Sequence, residues 1–578
     1  MTSFRIEPVK FDSEYLSVWS QTDPRFHNWP VVYTLDGGGK VYVGESRNVA
    51  ARFRQHLESP EKRELLRGRV IVDETFNKSA CLDLESYLIR LFAGDGEFEV
   101  LNRNDGVIDA DYYERARYQA TFDEIFGQLR GLGLFSRAVR DIENSDLFKL
   151  SPFKALTPDQ AIAVEDILEG LFEDLEEDRP STIVIQGDPG TGKTVIAIYL
   201  LKLLMDIKQA DLTEPTDSDT MFSDFFVEGY PELLRDFRVG LVVPQQSLRK
   251  SVEKVFGKTP GLTKEMVLSP FDVGMSDQRF DLLVVEEMHR LNQRANQSSG
   301  VRNAQFAHIN ERLFGHDDVS HTQLDWIRRQ SNHQIFLLDR AQSVRPADLP
   351  PAILEPLLAQ AKSAARNYVL SSQLRVQAGE DYIAYIREIL GGGAPTPATF
   401  PNYDLRLFDD LGAMKRVLDA LEAKFGLARL VAGYAWEWRS RTNRSTWDIE
   451  LDGLRLKWNT TDVDWVNSPK AVQEVGSIHT VQGYDLNYAG VIIGRDLRWD
   501  PETRSLRFDR EHYFDAKGME NNRKLGITYT DDDVLRYVTN IYSVLLTRGI
   551  KGTFVYVCDD ALREHLRPLI GESHGAFQ

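Results

Sequence analysis

Cysteine is nearly absent: the 578-residue chain carries two, Cys81 and Cys558, far apart in sequence. A disulfide framework and a cysteine-built zinc cluster are thereby excluded, and reduced thiols fit a cytoplasmic location. Long apolar runs are missing too. No stretch approaches the ~18 apolar residues needed to span a bilayer, and the opening Met1-Thr2-Ser3-Phe4-Arg5 leads into charged sequence without an apolar signal region. The expectation is a cytoplasmic protein without a membrane partner. Internal repeats and low-complexity tracts are also absent, which excludes a solenoid or a linker-dominated chain. Positive charge is in deficit, with 69 Lys and Arg against 88 Asp and Glu and a formal net charge of -19. That balance argues against nonspecific coating of nucleic acid by the whole surface and leaves only a local basic groove for such contact.

What is present is ample apolar material, 42% of residues, enough for about three to five domains at this length. One local excess of positive charge stands out. Between Arg47 and Arg69 lie Arg47, Arg52, Arg54, Lys62, Arg63, Arg67 and Arg69 against Glu58, Glu61 and Glu64. It reads either as a nucleic-acid contact or as a solvated helical face.

The chain divides by its patterns. In residues 1–118, Val31-Val32-Tyr33-Thr34 and Val41-Tyr42-Val43-Gly44 are strand-like and joined by Asp36-Gly37-Gly38-Gly39, a hairpin turn. Helical sequence follows at 48–56 and 81–92. Residues 119–150 read as a helical connector, with Ser151-Pro152 as the boundary. Beyond it strands and helices alternate, which predicts an α/β fold with two parallel sheets, one in residues 151–365 and one in 366–578. The strands expected in the first are 183–186, 239–243, 281–285 and 335–338; in the second, 430–433, 475–479, 491–494 and 553–557. The acidic stretch from Asp206 to Glu232 reads as a surface insertion into the first lobe.

Gly187-Asp188-Pro189-Gly190-Thr191-Gly192-Lys193-Thr194 fits the phosphate-binding loop G-x-x-x-x-G-K-[ST] and follows the apolar run Ile183-Val184-Ile185. Small residues let backbone N–H groups close around phosphates. Lys193 reaches the β and γ oxygens, and Thr194 offers a hydroxyl to Mg²⁺. The apolar helix that follows points the positive end of its dipole at the same place. The strand 280–285 ends in Glu286-Glu287, which supplies a Mg²⁺ ligand in Glu286 and a water-polarising carboxylate in Glu287. Gln342, after the strand ending at Leu338, stands where a γ-phosphate sensor belongs.

In order along residues 153–560, these motifs resemble the superfamily-1 helicases, and more closely the helicase-like group of domain of unknown function 2075, related to the Schlafen C-terminal region. Leu156-Thr157-Pro158-Asp159-Gln160 is similar to the adenine-reading motif, with Gln160 its glutamine. Val242-Val243-Pro244-Gln245-Gln246-Ser247-Leu248 is similar to the next motif, Gln373-Leu374-Arg375 to motif IV, and Ala432-Gly433-Tyr434-Ala435-Trp436-Glu437-Trp438 to the tryptophan signature. Ile478-His479-Thr480-Val481-Gln482-Gly483-Tyr484-Asp485 resembles motif V, where Gly483 and Asp485 face the nucleotide, and Leu545-Leu546-Thr547-Arg548-Gly549 motif VI. The resemblance implies an ATP site between two RecA-like lobes, with Arg375 and Arg548 reaching the γ-phosphate. The family usually has Asp then Glu at the strand end. Glu286 is longer by one methylene, which shifts the Mg²⁺ contact and makes slow turnover the alternative. Five of the nine tryptophans (Trp436, Trp438, Trp447, Trp458 and Trp465) fall between 436 and 465; they either stack on single-stranded bases or, the favoured reading, pack a core around the second lobe.

The first block resembles the GIY-YIG nucleases. Val31-Val32-Tyr33 stands at the GIY and Tyr42-Val43-Gly44 at the YIG, although Val31 replaces the first glycine and the linker between the tyrosines is short. Arg52 and His56 share a helix face at i and i+4, Glu85 lies on the next helix, and Asn102 completes the set. The resemblance implies that Tyr33 or Tyr42 helps activate water, Arg52 stabilises the phosphate and Glu85 holds one Mg²⁺, or Mn²⁺ in its place. Taken together, the expectation is an endonuclease joined to an ATP-dependent nucleic-acid motor acting on DNA, in defence against foreign DNA or in repair. The alternatives are an ATP-switched sensor with a noncatalytic first block and a nuclease directed at RNA.

Overall fold

The computed structural model describes residues 4–102, 111–210, 221–295, 297, 299–339, 343–373 and 376–571. They form two compact units. One comprises Met1–Glu165, Ile198–Asp236 and Val252–Glu265, the other Asp166–Ala197, Phe237–Ser251 and Met266–Gln578.

The first unit is built on a five-stranded sheet in the order Phe4–Lys10, Arg67–Asp73, Val31–Gly37, Lys40–Ser46 and Glu99–Val100. The expected hairpin is present, but its strands run closer together than the glycine run suggested. Gly37 pairs with Lys40, and only Gly38 and Gly39 turn, both with positive φ (57° and 80°). Two successive left-handed residues match the twist of the flanking strands. The sheet is covered on both faces, which is why every residue from Val31 to Leu35, Thr34 included, is buried. Val31, Tyr33 and Leu35 face a core with Phe53, Trp19 and Phe26. Val32, Val43 and Ile71 face another with Leu84 and Leu88.

Two helices carry candidate residues on that sheet, and each starts on an asparagine. Asn48 accepts from the Ala51 N–H ahead of Val49–Glu58, and Asn77 from the Ala80 N–H ahead of Lys78–Asp95. Gly96, in the left-handed conformation at φ 72°, ends the second. The expected connector is an integral part of this unit. Helix Arg115–Gly131 and the short helices Val139–Glu143 and Asp146–Lys149 bury Phe122, Phe126, Leu129 and Ile142 in the same core as Leu84 and Leu88. Ile142 lies so close to Gly94 that a Cβ there would come within 2.7 Å of it.

The second unit holds two sheets. The first runs Asn367–Leu370, Thr182–Gly187, Ser331–Leu338, Phe280–Val285, Val239–Val242 and Val267–Leu268, all parallel. Its edge strand Asn367–Leu370 lies beyond the expected limit at residue 365. The four residues Asn367–Leu370, only three of them apolar, are too short a run ahead of Ser371-Ser372 to signal a strand. The second sheet runs Asp404–Phe408, Gly549–Val557, Leu486–Ile493, Ala428–Ala432, Glu474–Ser477, Leu454–Trp458 and Ile449–Leu451, parallel except for the last pair. Helix Leu411–Phe425 covers one face of it, and helices Glu380–Leu390 and Asp531–Leu546 the other. Among the described residues, no helix is long and apolar enough to cross a membrane.

The tryptophan cluster is mainly core. Trp458 and Trp465 are fully buried, and the rings of Trp436 and Trp438 sit 6.4 and 6.3 Å from that of Trp458. Trp447 alone of the five is largely exposed, with Lys457 5.0 Å over its ring. Trp458→Ala is therefore expected to cost about 3–5 kcal/mol, read as a lower thermal midpoint. The same substitution at Trp447 is expected to leave the midpoint nearly unchanged.

Candidate functional site

In the second unit the candidate residues gather at the carboxyl ends of parallel strands, where open α/β sheets bind ligands. Thr182–Gly187 leads into the loop, Phe280–Val285 into Glu286 and Glu287, and Ser331–Leu338 into Asp339. The loop turns through Gly190 and Gly192 at φ 89° and 81°, a conformation that favours glycine. Thr191 Oγ1 donates to the Asp188 carbonyl at 3.0 Å. Gly187 has no room for a side chain, since a Cβ there would come within 2.4 Å of Thr191 Oγ1. Lys193 is buried and donates to the Gly187 and Asp188 carbonyls at 2.7 and 3.0 Å, with Asp339 at 3.8 Å. Its ammonium is thus held at the loop by backbone carbonyl oxygens.

Thr194 Oγ1 donates to Glu286 Oε1, while Glu286 Oε2 is buried without a hydrogen-bond partner. A hydroxyl and a carboxylate in contact, one oxygen unspent, suit a hard divalent cation. Burial, and then the neighbouring Glu287, raise the Glu286 carboxyl to about 7. Burial pushes Glu287 the same way, but His289, Lys193 and Arg548 overcome it and hold Glu287 low. Glu287 adopts the left-handed conformation (φ 47°, ψ 50°), costly for a residue with a side chain. His289 Nε2 meets its carboxylate at 2.9 Å.

The remaining residues of the second sheet close on the same place. Arg548 is buried, donates to the Tyr484 carbonyl at 3.3 Å and acts electrostatically on Glu287. Gly483 has φ 90°, with Leu248 3.3 Å from where its Cβ would be. Asp485 is half-buried beside them. Sequence reasoning missed several partners here. Gln482 accepts from buried Arg290 at 2.7 Å, Arg387 donates to Asp188 at 2.8 Å, and Gln373 donates to the Pro189 carbonyl at 2.7 Å. Gln482 and Gln373 stood inside quoted motifs, whereas Arg290 and Arg387 carried no signal beyond being charged on otherwise apolar segments. Gln342 and Arg375 lie outside the described residues. Gln160 belongs to the first unit, where its Oε1 accepts from the Thr157 N–H at 3.1 Å.

The first unit assembles the other set around Tyr33, which is fully buried. Tyr33 Oη is 2.8 Å from His56 Nε2, and the ring of Tyr42 is 4.9 Å from that of His56. Arg52 lies close enough to both tyrosines to act on them electrostatically, and its guanidinium donates to Gln55 Oε1 at 3.2 Å. Glu85 lies close enough to act on Tyr33 electrostatically. Gly44 is required for this approach, because a Cβ there would meet Tyr33 Oη at 2.3 Å. Asn102 sits apart from the tyrosines as a clamp on the sheet: its side chain accepts from the Val43 N–H at 3.1 Å and donates to the Val43 carbonyl at 2.7 Å.

Two further residues were missed. Lys62 Nζ lies 3.1 Å from His56 Nδ1 and 4.3 Å over the Tyr42 ring. An ammonium only donates, so Nδ1 accepts, the imidazole proton sits on Nε2, and Tyr33 Oη is the acceptor. Glu45 follows Gly44 and has a buried Oε2 without a hydrogen-bond partner. It shares with Glu85 the neighbourhood of Cys81, whose thiol is pushed up by burial and then by both carboxylates. The other Glu45 oxygen is paired with Lys78. The basic run is partly spent on structure, since Arg67 and Arg69 both pair with buried Asp36.

Residues 180–559 match the family model described as Schlafen group 3, DNA/RNA helicase domain. The chain is 25% identical over 464 residues to the uncharacterized protein YPL245W of Saccharomyces cerevisiae, covering 74% of this chain and 94% of that one. It is also 25% identical over 294 residues to the ATP-dependent DNA helicase RecG of Borreliella burgdorferi, covering 48% of this chain and 38% of RecG. Among solved structures, it is similar to a Pif1 helicase from Bacteroides in complex with ADP-AlF3 and ssDNA, at 9% identity and a TM-score of 0.25, over 71% of this chain and 94% of that one.

Burial, then Lys62 and Arg52, lower His56 from 6.5 to about 2. The folded side chain stays neutral while the unfolded one takes up a proton below its ordinary value, so its stabilisation is present above about pH 6.5 and lost as pH falls. Going from about pH 7 to about pH 5 is expected to cost about 2 kcal/mol through this residue. Urea unfolding of the wild type and His56→Gln at both pH values checks this: the loss should be smaller by that amount in the variant.

Proposed function

The chain belongs to the Schlafen group 3 family through its DNA/RNA helicase domain, and from that premise we propose that it is an ATP-dependent, helicase-like nucleic-acid translocase carrying a metal-dependent endonuclease of the GIY-YIG kind. The observation that carries the ATPase reading is the convergence on Glu287, where Lys193 from one sheet and Arg548 from the other both act on its charge. ATP with a divalent cation supplies the transferable phosphoryl group when bound. Lys193 would reach the phosphate oxygens, and Thr194 with Glu286 would hold the cation. Glu287, kept ionised by its cationic neighbours, is a weak proton acceptor and orients the attacking water. Arg548 neutralises charge gathering on the phosphoryl oxygens. Because Arg548 comes from the other lobe, hydrolysis and the relation between the lobes are coupled.

In the first unit, burial raises the Tyr33 hydroxyl well above the ordinary range. Tyr33 is therefore a phenol at neutral pH, with its oxygen accepting from His56 and the Arg52 charge beside it. Arg52 places positive charge where a pentavalent phosphate would form, and Glu85, with Glu45 beside it, holds the cation. DNA is the favoured substrate, with RNA as the alternative. A nucleotide-operated switch with slow turnover is the second reading, favoured by Glu286 in place of a shorter aspartate and by the hold of Arg387 on the loop at Asp188.

Lys193→Ala is expected to abolish ATP hydrolysis, and Arg548→Ala to lower kcat by roughly 10³-fold. Glu85→Ala is expected to abolish Mg²⁺-dependent cleavage while leaving ATP binding intact. ATPase rates with single-stranded DNA, duplex DNA and RNA, run beside cleavage assays, test both sites. Strong stimulation by nucleic acid supports the translocase, and tight ATP binding without turnover supports the switch. Cleavage unchanged in Glu85→Ala rejects the nuclease.

A further inference from the structure

Between helix Gly300–Phe314 and helix Gln323–Gln330 runs a short loop that none of the functions above uses. It carries His316, Asp318 and His321, whose candidate ligand atoms all lie within 4.8 Å of one another. Among the described residues no second triad of His, Cys, Asp or Glu converges in this way.

The loop is held from below by buried groups. The Asp317 carboxylate accepts from Arg294 at 3.0 and 2.7 Å and from Asn310 Nδ2 at 2.8 Å. Asn310 Nδ2 also donates to the Asp318 carbonyl at 3.2 Å, and its Oδ1 accepts from Trp326 Nε1 at 2.7 Å. Asn310 and Trp326 are both fully buried, so the backbone at 317–318 is anchored in the core of its helical subdomain.

The three side chains are oriented as well. Asp318 Oδ1 accepts from the Ser320 N–H and hydroxyl, each at 2.8 Å. Its other oxygen remains, 3.8 Å from His316 Nε2. The His321 ring stacks on Phe314 with centroids 3.8 Å apart and planes 20° from parallel, which fixes its direction without using a nitrogen.

We infer that His316, Asp318 and His321 form a binding site for one divalent transition-metal ion of the zinc class. Two imidazoles and a carboxylate match the ligand preferences of zinc, cobalt and nickel, whereas magnesium and calcium take oxygen donors. Bonds of about 2.0–2.2 Å in a tetrahedron place ligand atoms roughly 3.3 Å apart. The triad is wider than that by one rotamer adjustment of His316, which is exposed and free to make it. Three protein ligands leave a fourth position for water or an outside donor, and Ser320 supplies the supporting hydrogen bonds that keep a ligating carboxylate aligned. The site takes no residue from either proposed reaction centre.

Cobalt titration of the full chain in excess Mg²⁺, followed by visible absorption, tests the site. The expected result is one equivalent of Co²⁺ with the visible band of a low-coordinate nitrogen-ligated ion, displaced by one equivalent of Zn²⁺. His316→Gln and His321→Gln should lose that band, and Ser320→Ala should weaken binding by about tenfold. Because the His316 side chain is exposed, His316→Gln should keep the metal-free thermal midpoint but lose the rise that Zn²⁺ gives the wild type. The same cobalt spectrum and stoichiometry in wild type and His316→Gln, or no band in the wild type, overturns the inference.

Discussion

Charge taken out of water has to find charge of the other sign, and the second unit is organised around that requirement. Lys193, Glu286, Arg290 and Arg548 are all buried, and each lies against a carbonyl or a hydroxyl, while buried Asp339 lies 3.8 Å from the Lys193 ammonium. Such groups are stable together and costly apart. The parallel sheets bring this about by ending their central strands at one level, so that the loops after Gly187, Val285 and Leu338 deliver their polar residues to one place. Glu287 shows how tightly the arrangement is held: it keeps a left-handed backbone that the contact with His289 sustains.

The same balance sets what the site can do without nucleotide. Lys193 occupies the loop carbonyls, and Arg387 and Gln373 from beyond the first sheet hold Asp188 and Pro189. Under the proposed ATPase reading, these are the contacts that incoming phosphates would meet at the loop. Gln482 with Arg290, and Tyr484 with Ser251 at 3.0 Å, carry the second sheet's residues onto the first by further buried hydrogen bonds. A change at the phosphates therefore reaches the contact between the lobes directly.

In the first unit, desolvation acts on a neutral group instead. Tyr33 is packed between Phe53 and the strand Lys40–Ser46, with Gly44 leaving just enough room for its hydroxyl. His56, Arg52 and Lys62 then order the polar atoms around that hydroxyl. Ring nitrogens and hydroxyls can each donate or accept, but an ammonium cannot, so Lys62 decides the proton's place for the whole chain of contacts.

Much of this was legible in the primary structure wherever a local rule is strict. The phosphate loop demands glycines at fixed spacing, the strand before Glu286 demands an apolar run, and Arg52 and His56 share a helix face by periodicity alone. The hairpin at Gly38-Gly39 and the two parallel sheets followed from the same local patterns. The integration of 115–149 into the first core was not legible, because an amphipathic helix shows that it has a partner but not which one. Neither were Lys62, Glu45, Arg290 and Arg387: a single charged residue has no spacing to mark it, and its role depends on which side chain comes within about 3 Å. The sequence by itself determined the chemistry available and the elements that carry it. Only the tertiary structure decided which charges meet and which proton sits on which nitrogen, because electrostatic and hydrogen-bond energies depend on distances in space that spacing along the chain does not give; even His316, Asp318 and His321, near neighbours in sequence, converge only through the conformation of their loop.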